Sequence, residues 1–263
     1  MQNNDCFSLT PFDTTLKVVG VGPGSGGFRL RITWGPEDEL LDHHASMQAM
    51  NIDDEPPFWL EETGGQVRFW RPGVSLSLDL VKREGEVRLS SFPREWENVL
   101  RVTYFYLLVE RQGLLLHASG LARPGEAYIF PGFSGAGKTT VVQNSPGMVV
   151  LTDEIAAVSL PVDGSAPLTY GTPFYGDWGR PGDNLTVPLK GLYFPVQDRE
   201  NYVTPLSPTE TLDRLLPCVC AYTSRGDLLN KLFNLSVLLA ERVPGFVLHF
   251  RPEPALWQAI HGS

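Results

Sequence analysis

No stretch of the sequence approaches the roughly 20 consecutive apolar residues that a membrane-crossing helix needs, so no membrane partner is expected. The opening residues MQNNDCFSLT carry neither a basic cluster nor an apolar run, and no secretory leader is expected there. Cysteine is scarce. Only Cys6, Cys218 and Cys220 occur, an odd number without framework spacing, which argues against a disulfide scaffold. Cys218 and Cys220 stand two apart and would face opposite sides of a strand, a poor arrangement for a shared metal, so buried thiols are expected. Runs of Lys and Arg are missing as well. The formal net charge is -9, and an acidic surface repels phosphate backbones, so nucleic acid is not an expected partner. Together these absences predict a cytoplasmic protein.

What is present is an ordinary globular balance, with 42% hydrophobic and 19% charged residues over 263 positions, enough for one large domain or two modest ones. The first hundred or so residues read as short strands between turn signals. Thr15 to Val21 and Phe28 to Trp34 flank GPGSGG, and Val67 to Trp70, Val74 to Leu80 and Glu86 to Ser90 follow, predicting a meander or small antiparallel sheet. The acidic, proline-ended run from Asp38 to Pro57 reads as an irregular exposed loop, with the pair His43-His44 as solvated side chains. From Trp96 to Val109 the apolar spacing turns helical. Strands are then expected from Leu114, over Ala127 to Phe130, Met148 to Leu151, Gly191 to Val196 and Phe246 to Phe250. Helices are expected over Thr209 to Leu216 and Leu228 to Glu241. The expected division is a β-rich region over 1–95 and a nucleotide-binding domain over 96–263, in an α/β protein.

Gly132, Phe133, Ser134, Gly135, Ala136, Gly137, Lys138 and Thr139 fit the pattern G-x-x-x-x-G-K-[ST] in full. Glycines let successive backbone N–H groups converge on phosphate oxygens, and the helix that the loop opens adds its N-terminal dipole. Lys138 can reach the β and γ phosphates, and the Thr139 hydroxyl can ligate magnesium. Ser134 and Thr140 are expected as phosphate ligands or helix-start residues. The expected cofactors are therefore ATP and Mg2+. ATP is favoured over GTP because no N-K-x-D follows the loop. The helix should be short, since Ser145-Pro146-Gly147 ends it after about two turns. GPGSGG also satisfies G-x-G-x-x-G, but a strand-like segment follows it, whereas a dinucleotide fingerprint needs a helix.

Asp153 and Glu154 follow the apolar strand after this helix, where a magnesium contact or a base is expected. His117, in LLLHASG, reads either as a hydrogen-bonded core histidine or as an active-site group. In the loop GTPFYGDWGRPGD, Arg180 can stabilise the transferred phosphoryl group or bind the acceptor, unless the loop is merely a surface element held by Trp and Phe packing. Arg251 is a weaker candidate of the same kind.

The combination of LLLHASG (114–120), AYIFPGFSGAGKTT (127–140) and LTDE (151–154) resembles the nucleotide-binding core of the HPr kinase/phosphorylase superfamily. Within it the chain is most similar to the HPr kinase-like proteins of peptide-modification cassettes, and the superfamily shares its core with phosphoenolpyruvate carboxykinase. The likeness extends over about residues 96–196 and is fainter over 171–183, 191–194 and 250–260. It implies an active-site role for His117 near the transferring phosphate and a magnesium-handling role for Asp153 and Glu154. It also implies transfer of phosphate to a Ser or Thr hydroxyl of a peptide or small protein, with Asp153, Glu154, His117 and Lys138 as the catalytic set. HPr kinases assemble as hexamers, so a homo-oligomer is compatible with the resemblance. One position departs: true HPr kinases carry an aspartate base after the first loop glycine, and here that residue is Phe133. A phenyl ring cannot move a proton, so the base must come from Asp153, Glu154 or His117. The same departure supports a different expectation, an ATP-binding regulatory or peptide-binding module with little kinase activity.

Overall fold

The computed structural model describes residues 15–17, 27–34, 58–90 and 94–262. It is a mixed α/β structure with two sheets and several helices. The predicted loop over Asp38 to Pro57, with His43 and His44, and most of GPGSGG lie outside the described residues. No helix among the described residues is long and apolar enough to cross a membrane.

The chain forms two compact units. The first holds the described residues up to Leu107 together with Tyr222–Gly226, and the second holds 108–221 and 227 onward. The first unit contains β1 (Thr15–Lys17), β2 (Arg29–Trp34), β3 (Trp59–Thr63), β4 (Gln66–Arg71), β5 (Val74–Asp79), β6 (Glu84–Leu89) and most of helix α1 (Arg94–Glu110). These strands form one six-stranded sheet in the order β1-β2-β6-β5-β4-β3. Alternation sorts its faces: Leu30, Ile32, Val67, Phe69, Val74, Leu76, Leu78, Val87 and Leu89 are all buried. The meander over β3 to β6 is antiparallel, but β2 runs parallel to β6, pairing Arg31 with Glu86 and Ile32 with Val87. The sheet is therefore not the purely antiparallel one expected, and β3 is a strand the sequence pattern did not announce. In α1 the apolar positions Trp96, Val99, Leu100, Tyr104 and Leu107 are buried, as the helical spacing predicts, and Phe105 and Tyr106 off that face are buried as well.

Within this unit Glu62 on β3 gathers three donors. Tyr106 Oη lies 2.7 Å from Oε1, Thr223 Oγ1 2.8 Å from both oxygens, and the backbone N–H of Ser224 2.9 Å from Oε2. That carboxylate fixes the short 222–226 segment to the sheet, a long-range tie that no local pattern encodes.

The second unit contains β7 (Gly113–Arg123), β8 (Glu126–Pro131), α2 (Lys138–Gln143), β9 (Val149–Thr152), β10 (Ile155–Ser159), β11 (Leu168–Tyr170), β12 (Thr186–Gln197), β13 (Tyr202–Leu206), α3 (Pro208–Leu215), α4 (Gly226–Arg242), β14 (Gly245–Phe250) and α5 (Leu256–His261). Its sheet runs β11-β10-β7-β8-β12-β14-β13, with β9 on β7. Because β12 also pairs with β11, strands β11, β10, β7, β8 and β12 close into a circuit. Strands β8, β12 and β14 are parallel, so their carboxyl ends meet at one edge. Helix α3 starts with a reciprocal cap in which Ser207 accepts from the N–H of Glu210 and the Glu210 side chain accepts from the N–H of Ser207.

Candidate functional site

The apolar run of β8 is buried from Ala127 to Pro131 and sits between β7 and β12, which fixes where its carboxyl end emerges. There the chain turns through residues 132–137 into α2. Gly137 caps the helix with φ 101°, a left-handed conformation open to glycine, and a Cβ there would stand 2.8 Å from the Phe250 ring. The helix is six residues long, too short to persist by itself. It is held by Val141 and Val142, both buried in the cluster of Tyr128, Phe130, Tyr193, Phe250 and Trp257, worth about 1.5–3 kcal/mol per side chain. Trp257 Nε1 also donates to Ser145 Oγ at 2.8 Å, anchoring the residue just past the helix end. The early helix stop at Ser145-Pro146-Gly147 thus appears where the sequence predicts it.

Ser134 and Gly135 are exposed at the loop tip, while Gly132, Ala136, Gly137, Thr139 and Thr140 are half-buried. Lys138 is buried, with 7% of its surface exposed, and its ammonium turns back to donate to the carbonyls of Gly132 at 2.9 Å and Phe133 at 3.0 Å. Both are interactions with neutral acceptors that a phosphate oxygen can replace with a stronger, charge-assisted one. The loop fits a phosphate group: open backbone at its tip, a helix N-terminus and a cation folded inward.

Across β7 stands the acidic pair. Strands β9 and β10 run along one edge of β7, with Thr152 opposite Gly120 and Ile155 opposite His117. Asp153 and Glu154 follow the end of β9, as the sequence pattern implies, and form the two-residue break before β10 continues along the same edge. Glu154 O accepts the Ala118 N–H at 3.0 Å, and His117 O accepts the Gly132 N–H at 3.2 Å, so one short piece of β7 positions both the loop and the acidic pair. His117 Nε2 lies 3.7 Å from Glu154 Oε1, with both side chains partly exposed.

Asp153 is arranged differently. It is 1% exposed, and its two oxygens accept backbone N–H groups from Gly176 at 2.8 Å and Trp178 at 2.7 Å. These donors belong to a strap, residues 171–183, laid along β9. Thr172 N donates to Leu151 O at 2.9 Å, Asp183 N to Val150 O at 2.8 Å, and Thr152 Oγ1 to Phe174 O at 3.0 Å. Gly182 approaches β9 so closely that a Cβ would fall 1.7 Å from Leu151 O. A Cβ on Gly176 would stand 3.0 Å from Glu154 Oε2 and 3.5 Å from Asp153 Oδ2, so the strap rests on both carboxylates. Arg180 is exposed, its guanidinium 5.6 Å from the Trp178 ring centroid.

The residues that sequence reasoning missed are Thr152 and Ser119. Thr152 Oγ1 accepts from the N–H groups of Glu154 and Ile155, and buried Ser119 Oγ lies 3.4 Å from Lys138 O. A threonine beside DE is the only signal for the first, and nothing signals the second. Arg251 sits past β14, its N–H donating to Asn201 Oδ1 at 2.8 Å. Among the described residues no three His, Cys, Asp or Glu side chains converge as a metal site. Asp153, with both oxygens engaged and no room for a hydrated ion, does not fit magnesium in this arrangement. Compared with known proteins, no family model matches the chain and no curated protein matches it, so a functional reading rests on this geometry.

Proposed function

We propose that this protein transfers the γ-phosphoryl group of magnesium-bound ATP to a Ser or Thr hydroxyl of a peptide or small protein, on a core of the HPr kinase type. The observation that carries the reading is the inward-folded Lys138 in a strand–loop–helix whose entry is pinned to the same piece of β7 as the acidic pair. The amides of residues 132–139 bind the phosphates, and Lys138 moves from the two carbonyls onto the β and γ oxygens. Magnesium, carried in with the triphosphate, offsets the charge on its oxygens. Thr139 is the hydroxyl that the motif assigns to it.

Glu154 is the general base. Unlike Asp153 it is partly exposed, and His117 stands beside it, Nε2 3.7 Å from its Oε1. The acceptor oxygen bonds to the γ-phosphorus, its proton passes to Glu154, and the bond to the bridging oxygen breaks to release ADP. Arg180, on the exposed side of the strap, contacts the acceptor or the transferred group. Phe133, 51% exposed, takes no part in proton transfer.

The test incubates the chain with magnesium, γ-labelled ATP and peptides encoded beside its gene, alongside Lys138→Ala and Glu154→Gln. Label on a peptide hydroxyl, lost in both variants, supports the kinase. ATP binding that depends on Lys138, with no label on any peptide, favours the second reading, an ATP-binding regulatory or peptide-binding module. Phe133 and the engaged Asp153 are the observations on that side.

A further inference from the structure

We infer that the strap is a latch: Asp153 can hold the strap or face a nucleotide-borne cation, but not both, so loading the phosphate loop releases residues 175–180. The inference rests on the nucleotide reading above and adds a moving part to it. Three observations converge. First, both Asp153 oxygens are occupied by strap amides, at 2.8 Å from Gly176 N and 2.7 Å from Trp178 N, with the side chain 1% exposed. A magnesium ion keeps several waters in an octahedral shell, and no such shell fits over a carboxylate covered by backbone. Second, the closed strap is imperfect. Trp178 Nε1 is the one buried side-chain polar atom without a partner among the described residues. A buried N–H with no acceptor opposes closure and offsets part of what the Asp153 bonds and the buried Phe174 ring contribute to holding the strap. Third, the tip is a self-contained turn. Gly176 and Gly179 flank a tight turn closed by a 3.0 Å N–H to carbonyl bond, whereas the strap's two ends are stitched to β9. Release would therefore swing the tip carrying Tyr175, Asp177 and Arg180 and uncover Glu154, on which Gly176 now rests.

A ligand that favours the open strap shifts the population by its differential affinity for that state. The experiment uses the full chain with a non-hydrolysable ATP analogue, with magnesium or with a chelator. Binding is followed by calorimetry, and the strap by amide hydrogen exchange and by the Trp178 contribution to fluorescence, isolated by subtracting Trp178→Phe. The expected result is that the magnesium complex speeds exchange of the Gly176 and Trp178 amides at least tenfold and shifts the Trp178 emission to the red. Nucleotide with chelator leaves both near the ligand-free values. Heat of binding without faster exchange at these amides overturns the latch while sparing the nucleotide reading. No heat of binding at all overturns both.

Discussion

Asp153→Asn is the sharpest test of how the ligand-free site is held. The carboxylate accepts two backbone N–H groups on separate oxygens, and a carboxamide offers only one oxygen. The variant therefore loses one charge-assisted bond, about 1.5–3 kcal/mol, and sets an amide NH2 against the other backbone N–H, which leaves that donor unsatisfied at a further ~1–3 kcal/mol. The two losses overlap, because the strap escapes by opening locally, and a net cost of about 2–4 kcal/mol to strap closure is expected. At about 1.4 kcal/mol per factor of ten, exchange of the Gly176 and Trp178 amides should accelerate roughly 30-fold to 1000-fold. The amides that stitch the strap to β9, those of Thr172 and Asp183, should change far less. A global melting temperature lowered by only a few degrees completes the pattern, since the core under α2 is untouched. Protection at Gly176 and Trp178 within threefold of the parent would refute the clamp.

Further predictions follow from other sites. Lys138→Ala should weaken nucleotide binding by about a hundredfold, from loss of one charge-assisted phosphate contact of roughly 3 kcal/mol, measured by calorimetry. Glu62→Gln should lower the unfolding free energy of the first unit by about 2 kcal/mol, because one neutral oxygen replaces a carboxylate serving three donors; an unchanged urea midpoint would count against the tie. Burial, then hydrogen bonding to the Glu126 carboxylate, pushes the Tyr128 phenol up to about 12. Its contribution is fully present below the unfolded value near 10 and is lost as the pH rises towards 12, because the unfolded chain ionises first. Alkaline melting curves of Tyr128→Phe should show a shallower decline across that window. Tyr106, raised further by burial and by Glu62, sustains the remaining loss.

The strand–loop–helix over β8 and α2 was legible because its requirements are local: glycines at fixed offsets, an apolar strand before it and a helix stop after it. The short α2, with its end at Asn144, emerged as the sequence predicts for the same reason. What escaped was non-local. The parallel pairing of β2 with β6 joins residues more than fifty positions apart, and no periodicity in either strand reveals its partner. Asp153 and Glu154 look alike in the sequence, two adjacent carboxylates. Their environments differ because the donors that occupy Asp153 are backbone amides of a distant loop, and backbone donors leave no trace in residue identity.

The closed circuit of β11, β10, β7, β8 and β12 has a mechanical consequence. A strand at the rim of an open sheet can be peeled off one hydrogen bond at a time, but a member of a ring borders neighbours on both sides. Pulled from the C-terminal end, α5 comes away first, then β14 must be sheared from both β12 and β13, after which α4, α3 and β13 follow. Strand β8, which leads into the 132–137 loop, gives way only when the ring is sheared open as a whole. A processive unfoldase engaging that end should stall after the first segment, leaving a protected fragment that retains Lys138, His117 and Glu154.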